Sequence, residues 1–271
     1  MTVNGYLTSI AKKAIIRDQE KKSIETSIGA LKNRVEQYFG SNVSNHFQFG
    51  SSVRKTMLPR NLDIKSDVDY MIVFRDDGYR PQTYLNQIRS FVETKYSRSE
   101  IKQSNPSIIL LLSHINFELV PALSSLMSVC EYRIPDKSSS YNDWISTSPL
   151  VHDTNLANSN KEYNYQIKPL IRILKYWNAI NKYPFNSYEL ECLILDYFNV
   201  HPFLFEYSSS KTLADYLFEF ITNLNLSWND PDWKRNKITQ LKNHVYKIKV
   251  LIQRNNELGA VTELKKLIPL T

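Results

Sequence analysis

The sequence predicts an α+β fold, in which a lobe built on a mixed β-sheet is followed by a lobe of α-helices. Short apolar runs rich in β-branched and aromatic residues, which are typical of strands, fall between residues 68 and 120. From about Tyr163 onward the apolar residues instead recur at three- and four-residue spacing, which is typical of helices. With 271 residues, 42% of them hydrophobic, the chain can bury a sizeable core in two joined lobes.

The first lobe begins with helical spacing of apolar residues from about Tyr6 to Phe39, which predicts one long amphipathic helix or two. Residues 17–22 are polar on every side, which favours a solvent-exposed bridge, and Gly40 is expected to end the helix. The other elements predicted for this lobe are a loop over 59–63, a strand over 68–74, a helix over 84–96 and paired strands over 107–112 and 114–120.

The second lobe is predicted to be helical. The segment 149–160 is rich in Asn and Ser and is interpreted as the boundary, which gives lobes of residues 1–158 and 159–271. The predicted helices of the second lobe are 167–180, 187–198, 212–224, 236–257 and 260–267.

The overall composition limits the class of protein. A formal net charge of +7 and a pI near 9.1 predict attraction for polyanions, a class that includes nucleotides, nucleic acids and membrane surfaces. The two cysteines, Cys130 and Cys192, lack metal-ligand spacing and are too few for a disulfide framework, so a reduced, cytoplasmic protein is expected. No run approaches the ~20 apolar residues of a membrane span, and no membrane partner is expected.

Three carboxylates are the first candidates for chemistry. Strand alternation places Asp67 and Asp69 on one face of the strand over 68–74, opposite Val68 and Tyr70. Glu118 lies in the middle of a later apolar strand, where an unpaired charge would be costly. The sequence therefore predicts that Glu118 meets water, a cation or a metal.

A small-residue turn precedes the two aspartates. The residues that could contact phosphate there are Gly50, Ser51, Ser52 and Thr56. Small residues let backbone amides and hydroxyls approach a triphosphate, while three carboxylates could hold two Mg²⁺ ions ~4 Å apart. Each signal alone is more often an ordinary turn or a solvated strand edge, but their order along the chain predicts one site.

These residues resemble a known group, the DNA polymerase beta-like nucleotidyltransferases, and within it the oligoadenylate synthases and the bacterial cyclic-oligonucleotide synthases (CD-NTases). The resemblance covers most of the chain. Besides Gly50-Ser51 and Asp67-x-Asp69, it includes Phe117 to Ala122, Arg133-Ile134-Pro135, Leu174 to Asn178, Asn186 to Glu191 and the turn Asp230-Pro231.

The resemblance implies roles for the candidate residues. Asp67 and Asp69 would bind both Mg²⁺ ions, with Mn²⁺ as a substitute, and Glu118 would complete the catalytic site. Ser51 would hold the phosphates of the donor nucleotide. The family usually has Asp in place of Glu118, and the extra methylene moves the carboxylate by about one bond length.

Two residues of the helical lobe are further candidates for phosphate contact. Lys175 shares a helical face with Lys168 and Arg172, and the alternative is a solvated helix face; the resemblance favours phosphate contact for Lys175. Ser187 starts a helix behind Asn186, and a structural capping role is as well supported as phosphate binding.

The function that follows is Mg²⁺-dependent synthesis of a cyclic di- or oligonucleotide second messenger from nucleoside triphosphates. The resemblance implies a role in antiphage defence through a separate effector, and a monomer is expected. Activation by nucleic acid is compatible with the basic charge. Two alternatives stay open: nucleotide transfer to an RNA 3′ end or a protein hydroxyl, and a non-catalytic nucleotide or RNA sensor.

Overall fold

The computed structural model describes residues 1–104, 106–125, 131–136, 138–139, 143–200 and 211–270; Cys130 lies outside these ranges. In the described chain the strands are β1 (Val43–Phe49), β2 (Asp67–Phe74), β3 (Glu100–Ser104), β4 (Ser107–Leu111), β5 (Asn116–Ser124), β6 (Tyr132–Pro135) and β7 (Trp144–Thr147). The α-helices of the same residues are α1 (Val3–Lys13), α2 (Asp18–Phe39), α3 (Gly50–Arg54), α4 (Pro81–Lys95), α5 (Pro149–Glu162), α6 (Ile167–Ile180), α7 (Ser187–Val200), α8 (Leu213–Asn223), α9 (Asp232–Gln253) and α10 (Glu257–Leu267).

The chain divides into two compact units. Residues Ile16–Arg60 and Ile64–Thr154 form the first, which we call the sheet unit. Residues Met1–Ile15, Asn61–Asp63 and Asn155–Thr271 form the second, which we call the helical unit. The predicted α+β fold is confirmed, whereas the predicted division of the sequence at residue 158 stays a prediction.

The sheet unit contains one mixed sheet, whose strands run in the order β1-β2-β5-β4-β3. The central pair, β2 and β5, is parallel, and the flanking pairs are antiparallel. At its far end β5 also pairs with β6, which pairs with β7. Because β2 and β5 are parallel and in register, residues near their N-terminal ends lie side by side at one edge of the sheet.

One face of the sheet carries the main core of this unit. Alternate residues of β2, such as Val68, Tyr70 and Ile72, pack with Phe117 and Leu119 of β5 and with apolar residues of α2 and α4. The predicted strand alternation is confirmed, since these side chains are at most 2% exposed. The opposite face is therefore the one on which the aspartates of β2 lie.

The helical unit is organised around α6, which is buried on nearly all sides. It packs against α1, α7 and α8, so a helix from the N-terminus of the chain joins the C-terminal helices. The Tyr6 hydroxyl donates to the carbonyl of Ile268 at 2.9 Å, and the Tyr176 hydroxyl donates to the carbonyl of Pro269 at 3.0 Å. These bonds fasten the end of the chain to α1 and α6.

Some elements were not predicted from the sequence. The segment Pro149–Asn160, which was interpreted only as the boundary between the lobes, lies within the helix α5, which buries Leu156, Ser159 and Asn160 despite a composition poor in helix formers. The strands β1 and β3 were not predicted, because edge strands are partly exposed and lack a clear apolar alternation. The end of the N-terminal helical region at Gly40 is confirmed, with φ at +51°.

Candidate active site

The three predicted carboxylates meet on one face of the central strands. Asp67 and Asp69 lie on β2, and Glu118 lies on β5 directly beside Asp69 in the parallel ladder. Each offers an oxygen, and these oxygens all lie within 4.8 Å of one another. All three side chains are partly buried. Hard carboxylate oxygens at this spacing are the donor set that Mg²⁺ and Mn²⁺ prefer, so the residues fit a divalent ion.

Gly50 is fitted closely against this cluster. It opens α3 directly after β1, and Phe49 pairs with Asp69 in the antiparallel ladder. A Cβ atom on Gly50 would lie 1.9 Å from Oδ2 of Asp69, and the φ angle of +75° is itself in the region that favours glycine. Both the contact and the backbone conformation therefore require glycine at this position.

Glu118 has a hydrogen-bond partner that the sequence did not reveal. The Ser107 hydroxyl, at the start of β4, donates to Oε1 of Glu118 at 2.6 Å, and Ser107 is fully buried. Burial raises the pKa of the Glu118 carboxyl, and the bond from Ser107 offsets part of that shift. A polar residue in an otherwise apolar strand was the available signal for Ser107.

Arg60 is a second residue that the sequence analysis did not single out. Its Nη1 donates to Oδ1 of Asn116 at 3.2 Å, and Asn116 is paired with Asp67 across the β2–β5 ladder. The backbone N–H of Arg60 donates to Glu20 of α2 at 3.2 Å. The guanidinium group of Arg60 therefore lies next to Asn116, the residue that pairs with Asp67.

The remaining residues of the small-residue turn have defined environments. The Ser51 carbonyl accepts from the N–H groups of Thr56 and Met57 at 3.0 and 3.1 Å, which closes the single turn of α3. The Ser52 hydroxyl accepts from Gln48 at 2.7 Å. The Thr56 side chain is fully buried, and contact of these residues with phosphate stays a prediction.

An ion pair connects the end of α3 to α5. Arg54, the last residue of α3, is buried, and its Nη1 lies 3.0 Å from Oδ1 of Asp153 in α5. Since this pair is largely shielded from water, removal of either partner would leave a costly charge. The unexpected helix α5 therefore holds α3 within the sheet unit.

The two candidates of the helical unit have contrasting environments. Lys175 on α6 is 5% exposed and forms an ion pair with Glu191 of α7, which is fully buried. Arg172 is also buried, so the alternative of a solvated basic helix face is wrong. Ser187 is exposed at the start of α7. Phosphate contact of Lys175 and Ser187 stays a prediction.

The predicted cap before Ser187 is confirmed. The Asn186 side chain accepts from the N–H of Tyr188 at 2.8 Å, while the Glu189 side chain accepts from the N–H of Asn186 at 3.1 Å. The two bonds cap the start of α7 reciprocally, as in a capping box, except that Asn186 accepts from the second helical residue and not from the third.

Comparison with known families decides the classification. The model of the Second Messenger Oligonucleotide or Dinucleotide Synthetase (SMODS) domain matches residues 1–160. The chain belongs to this family. The matched region includes Gly50 and all three clustered carboxylates.

Two named relatives are similar along much of the chain. A probable cyclic nucleotide synthase of Bacillus cereus strain VD146 is 27% identical over 280 residues, which cover 85% of this chain and 81% of the relative. A cyclic AMP-AMP-AMP synthase of Acinetobacter sp. is 25% identical over 187 residues, which cover 66% of this chain and 50% of that protein.

Solved structures of bacterial CD-NTases share the fold. Apo DncV of Vibrio cholerae matches with a TM-score of 0.75 at 9% identity, over 98% of this chain and 95% of that chain. CdnC of E. coli MS115-1, in its complex with HORMA-deltaN, matches with a TM-score of 0.69 at 14% identity, over 97% and 95% of the two chains. The chain therefore combines membership of the SMODS family with the fold of these CD-NTases.

The helices of the described residues were also compared with the requirements of a bilayer. None of them combines the length and the apolar character that a membrane span needs.

Proposed function

We propose that this SMODS-family protein joins nucleoside triphosphates into a cyclic di- or oligonucleotide second messenger, with Mg²⁺ as the cofactor and Mn²⁺ as a substitute. The observation that carries the proposal is the convergence of Asp67, Asp69 and Glu118 from two parallel strands, with ligand oxygens within 4.8 Å of one another. Three carboxylates at this spacing repel one another when charged, and a divalent cation between them would relieve that repulsion.

The reaction is a nucleotidyl transfer. The oxygen of a ribose hydroxyl forms a bond to the α-phosphorus of a second nucleotide, the bond from that phosphorus to the bridging oxygen breaks, and pyrophosphate leaves with the electron pair. Divalent ions held by the three carboxylates would neutralise phosphate charge and lower the pKa of the attacking hydroxyl. A second transfer, from the free end of the linear product, would close the ring.

The chain's own groups contribute position and a proton acceptor. Glu118 is the group proposed to accept the proton of the attacking hydroxyl. Gly50 lets the backbone approach Asp69 without a side chain in between. Ser51, Ser52 and Thr56 are proposed to contact the donor phosphates.

Two residues of the helical unit, Lys175 and Ser187, are also proposed to contact phosphate of a nucleotide substrate. The chain's net charge of +7 favours encounter with the triphosphate, and the buried position of Lys175 would strengthen its attraction to phosphate. Because Glu191 already neutralises Lys175, phosphate contact would require the ammonium group to be shared between the two anions.

The direct test is incubation of the purified protein with labelled nucleoside triphosphates and Mg²⁺ or Mn²⁺. We expect a small, phosphatase-resistant product, identified by chromatography and mass measurement. Replacing Asp69 by Asn should reduce turnover by about 10³-fold, since several kcal/mol of charge stabilisation are lost. Asp77→Asn is the matched control, because Asp77 is an exposed aspartate of the same unit that forms a 3.5 Å ion pair with Arg133.

Other outcomes would change the assignment. Label found on RNA or on protein would favour transfer to a macromolecule, and nucleotide binding without turnover would favour a sensor. Absence of product for all four bases, with Asp69→Asn indistinguishable from the wild type, would overturn the proposal.

The proposed biological role is antiphage defence, in which the product activates a separate effector protein. The support is membership of a family of second-messenger synthetases. If the role is correct, cells that carry this gene with its genomic neighbours should resist phage infection, and Asp69→Asn should abolish the resistance. Equal plaque formation in both strains would contradict the role without affecting the enzymatic assignment.

A further inference from the structure

The hydroxyl of Ser107 is directed at the third carboxylate. It lies 2.6 Å from Oε1 of Glu118 and 3.2 Å from the carbonyl oxygen of Ser104. A hydroxyl has a single proton to donate. The shorter distance falls in the range of a charge-assisted O–H···O⁻ bond, whereas the longer one is beyond the usual range, so the proton is directed to Glu118.

The surroundings hold this hydroxyl in place. Ser107 is fully buried at the start of β4, and it pairs with Ser104 at the end of the β3–β4 hairpin. The next residues of β4 pair with β5, where Ile109 lies opposite Glu118 and Ile108 lies opposite Leu119. The position of the hydroxyl relative to β5 is therefore set by the sheet and not by a mobile loop.

A glutamate in this position needs such a restraint more than an aspartate does. Its carboxylate is connected to the strand by one additional rotatable bond, so ordering the side chain costs more conformational entropy. One oxygen of Glu118 is already engaged by Ser107, so the restraint is present before any cation binds. The second oxygen is then the one available for a ligand.

We propose that Ser107 is a positioning residue for the metal site: its hydroxyl fixes Oε1 of Glu118 and so presents the other carboxylate oxygen to a divalent cation shared with Asp67 and Asp69. This inference rests on the proposed function, since it requires that the carboxylates bind a cation. It also explains how the chain accommodates Glu where a shorter acid would need no such support.

The test measures metal binding directly, without relying on turnover. Free Mn²⁺ is titrated against the full-length protein by electron paramagnetic resonance, for the wild type and for Ser107→Ala and Ser107→Cys. Loss of a group that orients a metal ligand weakens metal affinity by about 10- to 100-fold, and we expect both variants to fall in that range. Ser107→Cys preserves the size of the side chain in case Ser107→Ala unfolds.

The matched control is Ser104→Ala. It removes a hydroxyl from the same hairpin, three residues away, where the backbone carbonyl and not the side chain contacts Ser107. Mn²⁺ affinity should be unchanged in this variant. A loss equal to that of Ser107→Ala would show that the hairpin in general, and not the Ser107 hydroxyl, maintains the site, which would overturn the proposal.

A double-mutant cycle separates positioning from a merely structural role. Glu118→Asp shortens the side chain so that it no longer reaches Ser107, and adding Ser107→Ala should then cause no further loss of Mn²⁺ affinity. A full additional loss in that background would overturn the proposal. If the wild type binds Mn²⁺ no better than Asp69→Asn, the proposed function fails as well; if it binds better but matches Ser107→Ala, this inference alone fails.

Discussion

Each unit contains a glutamate whose side chain is at least partly buried, and the two glutamates differ in the groups that surround their negative charge. Glu191 in the helical unit is fully buried and forms an ion pair with Lys175, so its charge is neutralised by a cation that the chain supplies. Glu118 in the sheet unit has a neutral hydroxyl as its partner and two other carboxylates as neighbours. The charge of Glu191 is thus balanced within the protein, whereas we propose that the charge of Glu118 is balanced by a divalent cation from solution.

Glu191 therefore has a structural role, whereas Glu118 belongs to the proposed metal site. A buried ion pair contributes little net stability. Removing one partner is nevertheless strongly destabilising, because the other partner is left with an uncompensated charge. A cluster of like charges destabilises the protein until it binds a cation, so the binding energy of that cation also stabilises the fold. The comparison predicts opposite responses to the same chemical change at the two positions.

The largest effect is expected in the helical unit. Glu191→Gln leaves Lys175 charged and buried, and it should destabilise the protein by about 3–5 kcal/mol in urea unfolding. Lys175→Met should have a similar cost, and the double variant should lose much less than the sum of the two. Additive losses would mean that the two side chains do not act as a pair.

The next effect concerns the fit of the carboxylate cluster. Gly50→Ala places a methyl group where Oδ2 of Asp69 now lies, so the aspartate must move and turnover should fall by about 100-fold. The matched control is Gly29→Ala on the exposed side of α2, where a Cβ meets no atom within 4 Å. That change should leave turnover intact and stabilise the helix by up to ~1 kcal/mol.

The smallest effect tests the comparison most sharply. In the presence of a metal chelator, Glu118→Gln removes one of three clustered charges and should stabilise the protein by about 1 kcal/mol, opposite in sign to Glu191→Gln. Glu93→Gln, an exposed change on α4, should leave stability unchanged. If Glu118→Gln destabilises the chelated protein, repulsion among the three carboxylates does not lower the stability of the metal-free protein.

Local patterns were sufficient for several elements. The run from Val68 to Phe74 is apolar enough to predict β2, and its alternation places Asp67 and Asp69 on one face. The predicted helix over 167–180 matches α6. The cap at Asn186 could be predicted because it joins residues three apart in sequence. These features depend on near neighbours, so the sequence contains them.

Other features depend on contacts between distant segments. α5 was missed because its Asn- and Ser-rich composition favours a loop, and burial of a few residues such as Leu156 outweighs that preference. Ser107 could not be assigned to Glu118, since the hairpin register decides which side chains meet. The ion pair of Lys175 with Glu191 could not be predicted either, because the packing of α7 against α6 decides that contact.

The sequence by itself determined that a small-residue turn, two aligned aspartates and a glutamate occur in this order, and that strands carry the acids. Only the tertiary structure decided that β2 and β5 lie side by side in register, which brings Glu118 next to Asp69. Periodicity along a chain fixes the face on which a residue lies, because it follows from backbone geometry. The neighbour that meets that face follows from strand pairing and core packing, which involve residues dozens of positions apart.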